Sequence, residues 1–120
     1  MARLLVVDDE ENIRELYKVE LEDDGHQVMT AEDGEDALRL LGEQTFDLIT
    51  LDMRMPKMDG VELLGKIRER NLRIPIVVCS AYPGYKQDFH VWGAEAYIVK
   101  SSNLTELKET ILQLLPGQNK

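Results

Sequence analysis

Five polar residues stand directly after apolar runs: Asp8 and Asp9 after Leu4 to Val7, Asp52 after Leu48 to Leu51, Ser80 after Ile74 to Cys79, and Lys100 after Ala96 to Val99. Carboxylates brought close together raise one another's pKa values, so a trio of them requires positive charge in its midst. Lys100 supplies part of it, and a divalent cation would neutralise the rest. The donors are oxygens, without paired Cys or His ligands, which suits Mg²⁺ (Mn²⁺ could substitute) and speaks against zinc. Such a metal beside a free carboxylate and a lysine forms a cradle for a phosphoryl group, whose equatorial oxygens need positive charge during transfer. Each residue alone has a plainer use: Asp8 or Asp9 can cap a helix, Ser80 can start a turn, and Lys100 can be a solvated charge. The coincidence of four runs ending in the same chemistry is what argues for a site.

Positioning these groups requires the runs to lie side by side. They are short and rich in aliphatic and β-branched residues, as strands buried on both faces should be, and Gln27 to Ala31, with polar residues mixed in, fits an edge strand. Helical patterns alternate with them. The first carries Ile13, Leu16, Tyr17 and Leu21; the second Ala37, Leu38 and Leu41; the third Val61, Leu64 and Ile67; a shorter fourth Tyr85, Phe89 and Trp92. The last is expected to open at Ser102 or Asn103, with Glu106 completing a capping box, to run through Leu104, Leu107, Ile111 and Leu114, and to stop at Pro116-Gly117. After the first helix, Gly25 must do most of the stopping, because Glu22, Asp23 and Asp24 have the wrong sign for its dipole. Five strands alternating with five helices imply an α/β fold, a three-layer (βα)5 sandwich around a parallel five-stranded sheet of order 2-1-3-4-5. Ligands of such sheets gather beyond the carboxyl ends of the strands, where the five polar residues fall.

The chain has 120 residues, 43% of them apolar, and a net charge of −9. A domain of that size buries about two-thirds of the surface its unfolded chain exposes, so its core needs neither disulfide nor structural metal. The single Cys79 cannot bridge internally and is expected in the core. His26 and His90 lack partner ligands at metal spacing and are expected on the surface or in loops. No apolar run approaches the ~20 residues of a membrane span, and the apolar stretch after Arg3 is too short for a signal peptide. A cytoplasmic location without membrane contact is expected, and the absence of a basic cluster argues against direct binding to nucleic acid.

The segment Asp52-Met53-Arg54-Met55-Pro56-Lys57-Met58-Asp59-Gly60 resembles the phosphoacceptor segment of the response-regulator receiver domains of two-component signalling. The resemblance runs the length of the chain, through Val6 to Glu10, Ala31 to Gly34, Ser80-Ala81, Gly93-Ala94 and Tyr97 to Lys100. Gaps of 43, 28 and 20 residues separate Asp9, Asp52, Ser80 and Lys100 in turn, as expected of that family. It implies a flavodoxin-like fold, with residues 1–116 the receiver domain, 117–120 a short tail, and no output domain. It further implies that Asp52 takes a phosphoryl group from a phosphohistidine on a sensor histidine kinase or a histidine phosphotransfer protein. Asp9, Asp52 and the backbone carbonyl of Arg54 would coordinate Mg²⁺, with Asp8 acting through metal-bound water. Lys100 would pair with a phosphoryl oxygen, and Ser80 would bond another. Ser80 and Tyr97 would then turn inward as a switch, presenting the surface of the fourth helix, fifth strand and fifth helix to a downstream protein. Such a domain is a signalling phosphoacceptor, not an enzyme, catalysing only its own phosphorylation and dephosphorylation.

Two features are this chain's own. Family members usually carry a proline after the lysine, joined by a cis bond, whereas Ser101 follows Lys100 here. A cis bond before a non-proline residue costs ~3 kcal/mol, so a trans Lys100–Ser101 bond is expected. Arg54 and Tyr82, each two residues beyond a site residue, can flank the path of attacking water and so tune the phosphoryl lifetime. Tyr82→Ala is expected to shorten that lifetime, read by following loss of the adduct with time; an unchanged or longer lifetime removes the support for this role. Among other classes, a phosphatase of the haloacid-dehalogenase type needs a second Asp where Arg54 stands, and Asp8 to Glu11 would repel a flavin phosphate. A receiver-like docking module that is never phosphorylated remains as the alternative.

Overall fold

Residues 2–55, 58–70, 72–81, 92–101 and 103–115 are described by the computed structural model. Five strands, β1 (Arg3–Val7), β2 (Gln27–Ala31), β3 (Leu48–Asp52), β4 (Ile76–Ser80) and β5 (Ala96–Val99), alternate with helices α1 (Glu11–Asp23), α2 (Gly34–Glu43), α3 (Gly60–Glu69) and α4 (Thr105–Leu114). All neighbouring strands are parallel, in the order β2-β1-β3-β4-β5, as the sequence implied. Alternation along each strand sends its residues to opposite faces. Leu5, Val7, Ile49, Leu51, Ile76 and Val78 pack under α2 and α3. Leu4, Val6, Leu48, Val77, Cys79 and Ile98 pack under α1 and α4. The fourth helical pattern of the sequence falls largely on residues 82–91, outside the described residues, so Tyr82, Tyr85 and Phe89 are not placed; Trp92 packs partly buried against the α2–α3 side.

Three details differ from expectation. Leu16 is 38% exposed, because Tyr17 and Leu21 carry the buried stripe of α1 and leave Leu16 at its margin. Strand β4 starts at Ile76 rather than Ile74: Pro75 has no N–H for the ladder, although its carbonyl accepts from Ile49 N–H at 3.0 Å. Helix α4 starts at Thr105, and the Asn103–Glu106 capping box is replaced by a tighter turn. Asn103 Oδ1 accepts from the Thr105 N–H (2.9 Å) and hydroxyl (2.6 Å), while Asn103 N–H donates to Ser101 Oγ at 3.2 Å. Gly25 ends α1 as anticipated, at φ +95°, with its N–H on Glu22 and the His26 N–H on Leu21. The acidic end of that helix finds its cation on α4, where Lys108 Nζ lies 2.9 Å from Glu20 and 3.8 Å from Asp24.

At the amino ends of β4 and β5, Arg68 ties three segments together. Its guanidinium donates to the carbonyls of Leu72 (2.9 Å), Ile74 (3.0 Å) and Gly93 (2.7 Å) and to the Glu95 carboxylate (3.0 Å), which in turn accepts the Ile76 N–H at 2.7 Å. Replacing Arg68 with Ala leaves these acceptors short of donors and is expected to cost about 2 kcal/mol in a denaturant titration. Arg68→Lys should recover little of it, because an ammonium on a flexible stem lacks the planar fork.

Candidate functional site

The carboxyl ends of β1, β3, β4 and β5 meet at one edge of the sheet and bring Asp8, Asp52, Ser80 and Lys100 together. Asp8, Asp52 and Ser80 are buried, while Asp9 is exposed. Lys100 is the centre of the cluster: its Nζ lies 2.8 Å from Asp8 Oδ2, 3.1 Å from Asp52 Oδ1 and 3.9 Å from Glu10 Oε1. The Lys100 N–H donates to the Ser80 carbonyl at 2.7 Å, which joins β5 to the end of β4. No cis peptide occurs among the described residues, so Lys100–Ser101 is trans, as its sequence predicted.

Asp8 is held on every side. Its second carboxylate oxygen accepts the Glu10 N–H at 2.9 Å, its own N–H donates to the Ala31 carbonyl at 3.1 Å, and its carbonyl accepts from Arg14 at 2.8 Å. Glu10 and Arg14 were not singled out from sequence. Glu10 belongs to the acidic string that carried the signal, but Arg14 reaches back across the turn into α1 and nothing in its spacing marks it. The carboxylate oxygens of Asp8, Asp9 and Glu10 can lie within 4.8 Å of one another.

The electrostatics follow from burial. Loss of hydration, helped by the charge of Asp8, pushes the Asp52 carboxyl up to about 6, and Lys100 only partly opposes the rise. Burial also works against the charge on Lys100, yet its bonds to Asp8 and Asp52 prevail and hold its pKa above the usual lysine value. Beneath the site, burial pushes the Cys79 thiol up to about 12 and raises the neighbouring Tyr17 hydroxyl. Cys79 is thus an inert core residue, as expected. The arrangement is a partly neutralised acidic pocket made of oxygen donors, the chemistry a hard divalent cation satisfies.

The loop after Asp52 is tightly packed. Met53 and Met55 are buried, and the Gly60 N–H donates to the Met53 carbonyl at 2.9 Å. A Cβ on Gly60 would stand 2.4 Å from the Asp52 carbonyl oxygen, so this close approach requires glycine. Asp59 caps α3 through the Glu62 N–H at 2.8 Å. Arg54 is exposed, and Tyr97 is buried against the α2–α3 side.

A family model described as the response regulator receiver domain matches residues 4–112. The chain is 44% identical over 79 residues to the alkaline phosphatase synthesis transcriptional regulatory protein PhoP of Bacillus subtilis, which covers 66% of this chain and 33% of that protein. It is 33% identical over 117 residues to the virulence transcriptional regulatory protein PhoP of Salmonella typhimurium, covering 96% and 52%. The chain therefore spans a third to about half of these relatives. Among solved structures, TrrA of Thermotoga maritima in complex with Mg²⁺-BeF is 46% identical with a TM-score of 0.90, covering 96% of this chain and all of that one. The same protein in complex with the histidine kinase ThkA superposes with a TM-score of 0.88 at 46% identity, covering 96% and 99%.

Proposed function

This chain belongs to the response regulator receiver domain family, and from that premise we propose that Asp52 accepts a phosphoryl group from a phosphohistidine on a sensor histidine kinase or histidine phosphotransfer protein. The observation that carries the reading is the buried Asp52 carboxylate at the end of β3, 3.1 Å from the Lys100 ammonium. An Asp52 carboxylate oxygen attacks phosphorus in line, and the bond from phosphorus to the imidazole nitrogen breaks. The nitrogen departs with the electron pair and takes up a proton, leaving an aspartyl phosphate. Lys100 stands where it can pair with a phosphoryl oxygen as charge shifts toward Asp52.

Mg²⁺ fits the donor set. Asp9 is exposed and available, Asp52 and the Arg54 carbonyl follow at the end of β3, and Asp8, with both oxygens already engaged, suits contact through water. When bound, the ion supplies positive charge that keeps Asp52 ionised and balances the phosphoryl oxygens. The new phosphoryl group adds acceptors beside Ser80. Because the Ser80 carbonyl holds the Lys100 N–H, movement of Ser80 is passed to β5, which carries Tyr97, and to the surface that β5 and α4 share. That surface serves a downstream protein.

Exposed apolar side chains on the α1 and α4 side suit contact with a kinase. Leu16 and Val19, 38% and 64% exposed, share one face of α1, the helix that follows the acidic pair, and Leu112 on α4 is 47% exposed. The complex of TrrA with a histidine kinase supports such a partner. No helix among the described residues is long and apolar enough to cross a membrane. The test is incubation with Mg²⁺ and acetyl phosphate followed by intact mass measurement. One phosphoryl adduct is expected; none would leave the chain a docking module.

A further inference from the structure

The loop that carries Arg54 leaves β3 through buried Met53 and Met55 and enters α3 at Gly60. Its remaining described side chain before the Asp59 cap, Met58, is partly buried against the core layer covered by α2 and α3. It lies against Gly34, the buried first residue of α2. A Cβ at Gly34 would stand 2.5 Å from Met58 Sδ and 3.2 Å from its Cβ and Cγ, so the thioether occupies space that exists because residue 34 has no side chain. Gly34 is itself fixed. The preceding Asp33 caps α2 by accepting the Asp36 N–H at 2.8 Å, and Ala31, at the end of β2, accepts the Asp8 N–H at 3.1 Å.

These contacts close a circuit. Asp8 is bound to the end of β2, the turn after β2 leads to Gly34, Gly34 seats Met58, and Met58 belongs to the loop that starts at Asp52. The acidic pair after β1 and the oxygen donors after β3 are thus spaced by the sheet on one side and by the Gly34–Met58 contact on the other. We propose that Met58 is a positioning residue for divalent-cation binding, acting through its seat on Gly34 to set the distance between the Asp8–Asp9 corner and the Asp52–Arg54 loop. The proposal rests on the metal-assisted reading above. Met58 touches neither the cation nor the phosphoryl group; its effect is on where the Arg54 carbonyl stands.

A double-mutant cycle tests this, with Mg²⁺ titrated by calorimetry into the parent protein, Met58→Ala, Gly34→Ala and the double variant. Removing the thioether is expected to weaken Mg²⁺ binding about tenfold, the scale of losses when groups that orient metal ligands are removed. Gly34→Ala, by unseating Met58, should weaken it comparably, and the double variant should be no weaker than Met58→Ala alone, since the two changes break one contact. The rate of adduct formation should fall at low Mg²⁺ and return toward the parent rate at saturating Mg²⁺. Without metal, Gly34→Ala should shift the amide resonances of Arg54 and Met55 and leave those of α4 in place, a readout independent of binding. Parental Mg²⁺ affinity in Met58→Ala, or losses that simply add in the double variant, overturns the proposal while the metal reading stands. A parent protein that binds no Mg²⁺ overturns both.

Discussion

Asp52→Asn is expected to yield no phosphoryl adduct under conditions in which the parent protein gains one. The amide keeps the shape of the side chain but offers no anionic oxygen to attack phosphorus. The same experiment on Lys100→Ala should retain phosphorylation but slow it by about 10²-fold, the usual scale for removing one positioned group that stabilises transition-state charge. Two effects combine there. Lys100 Nζ lies 2.8 Å from Asp8 and 3.1 Å from Asp52, so its loss removes the partner of the phosphoryl oxygen and leaves two buried carboxylates facing each other. Asp52, already pushed up to about 6, then rises further and is less ionised near neutral pH. At low Mg²⁺, where the cation does not hold Asp52 ionised, the deficit of Lys100→Ala should accordingly shrink as pH is raised. An adduct of parental yield on Asp52→Asn would move the acceptor elsewhere and end the assignment.

The second large effect is on stability, and its sign is opposite to that of most buried substitutions. Without metal, Asp52→Asn should be more stable than the parent by about 1–3 kcal/mol at pH 8, a rise in Tm on the order of 4–10 °C. A carboxyl whose folded pKa stands near 6, above its ordinary value of 3.8, holds its proton more tightly in the folded chain than in the unfolded one. Stability from this group is therefore greatest in acid, declines as pH rises from about 4 to about 6, and stays at its reduced level above that. The advantage of the amide should vanish near pH 4. Mg²⁺ works in the reverse direction: at a hundredfold excess over its dissociation constant it should stabilise the parent by about 2.7 kcal/mol and Asp52→Asn by much less. Thermal melts of both proteins at pH 4 and pH 8, with and without Mg²⁺, decide the matter. A lower Tm for Asp52→Asn at pH 8 without metal would show that its carboxylate is a net stabiliser.

The sheet and the polar residues at its edge were legible in the sequence because parallel strands buried on both faces leave near-continuous apolar signatures, and four of the five strands deliver a polar side chain to the candidate site. Leu48 to Leu51 followed by Asp52 is such a case, and so is Ala96 to Val99 followed by Lys100. Local chemistry was less faithful. Asn103 favoured a helix cap, but the hydroxyl of Ser101 claimed its N–H and moved the helix start to Thr105. Periodicity placed Leu16 on the buried stripe of α1, yet it could not tell the centre of a stripe from its margin. Contacts between residues far apart left no trace. Arg68 to Gly93 and Met58 to Gly34 join separate turns of the fold, and neither spacing nor residue type announces them.

The apolar residues above and below the sheet form two bodies that the strands keep apart. Substitutions placed one in each should add in their energetic effects, because they share no neighbours. It follows that sequence drift beneath α1 and α4 can proceed with little penalty passed to the layer under α2 and α3. A lineage can reshape the exposed face of α1 while inheriting the loop after Asp52 unchanged.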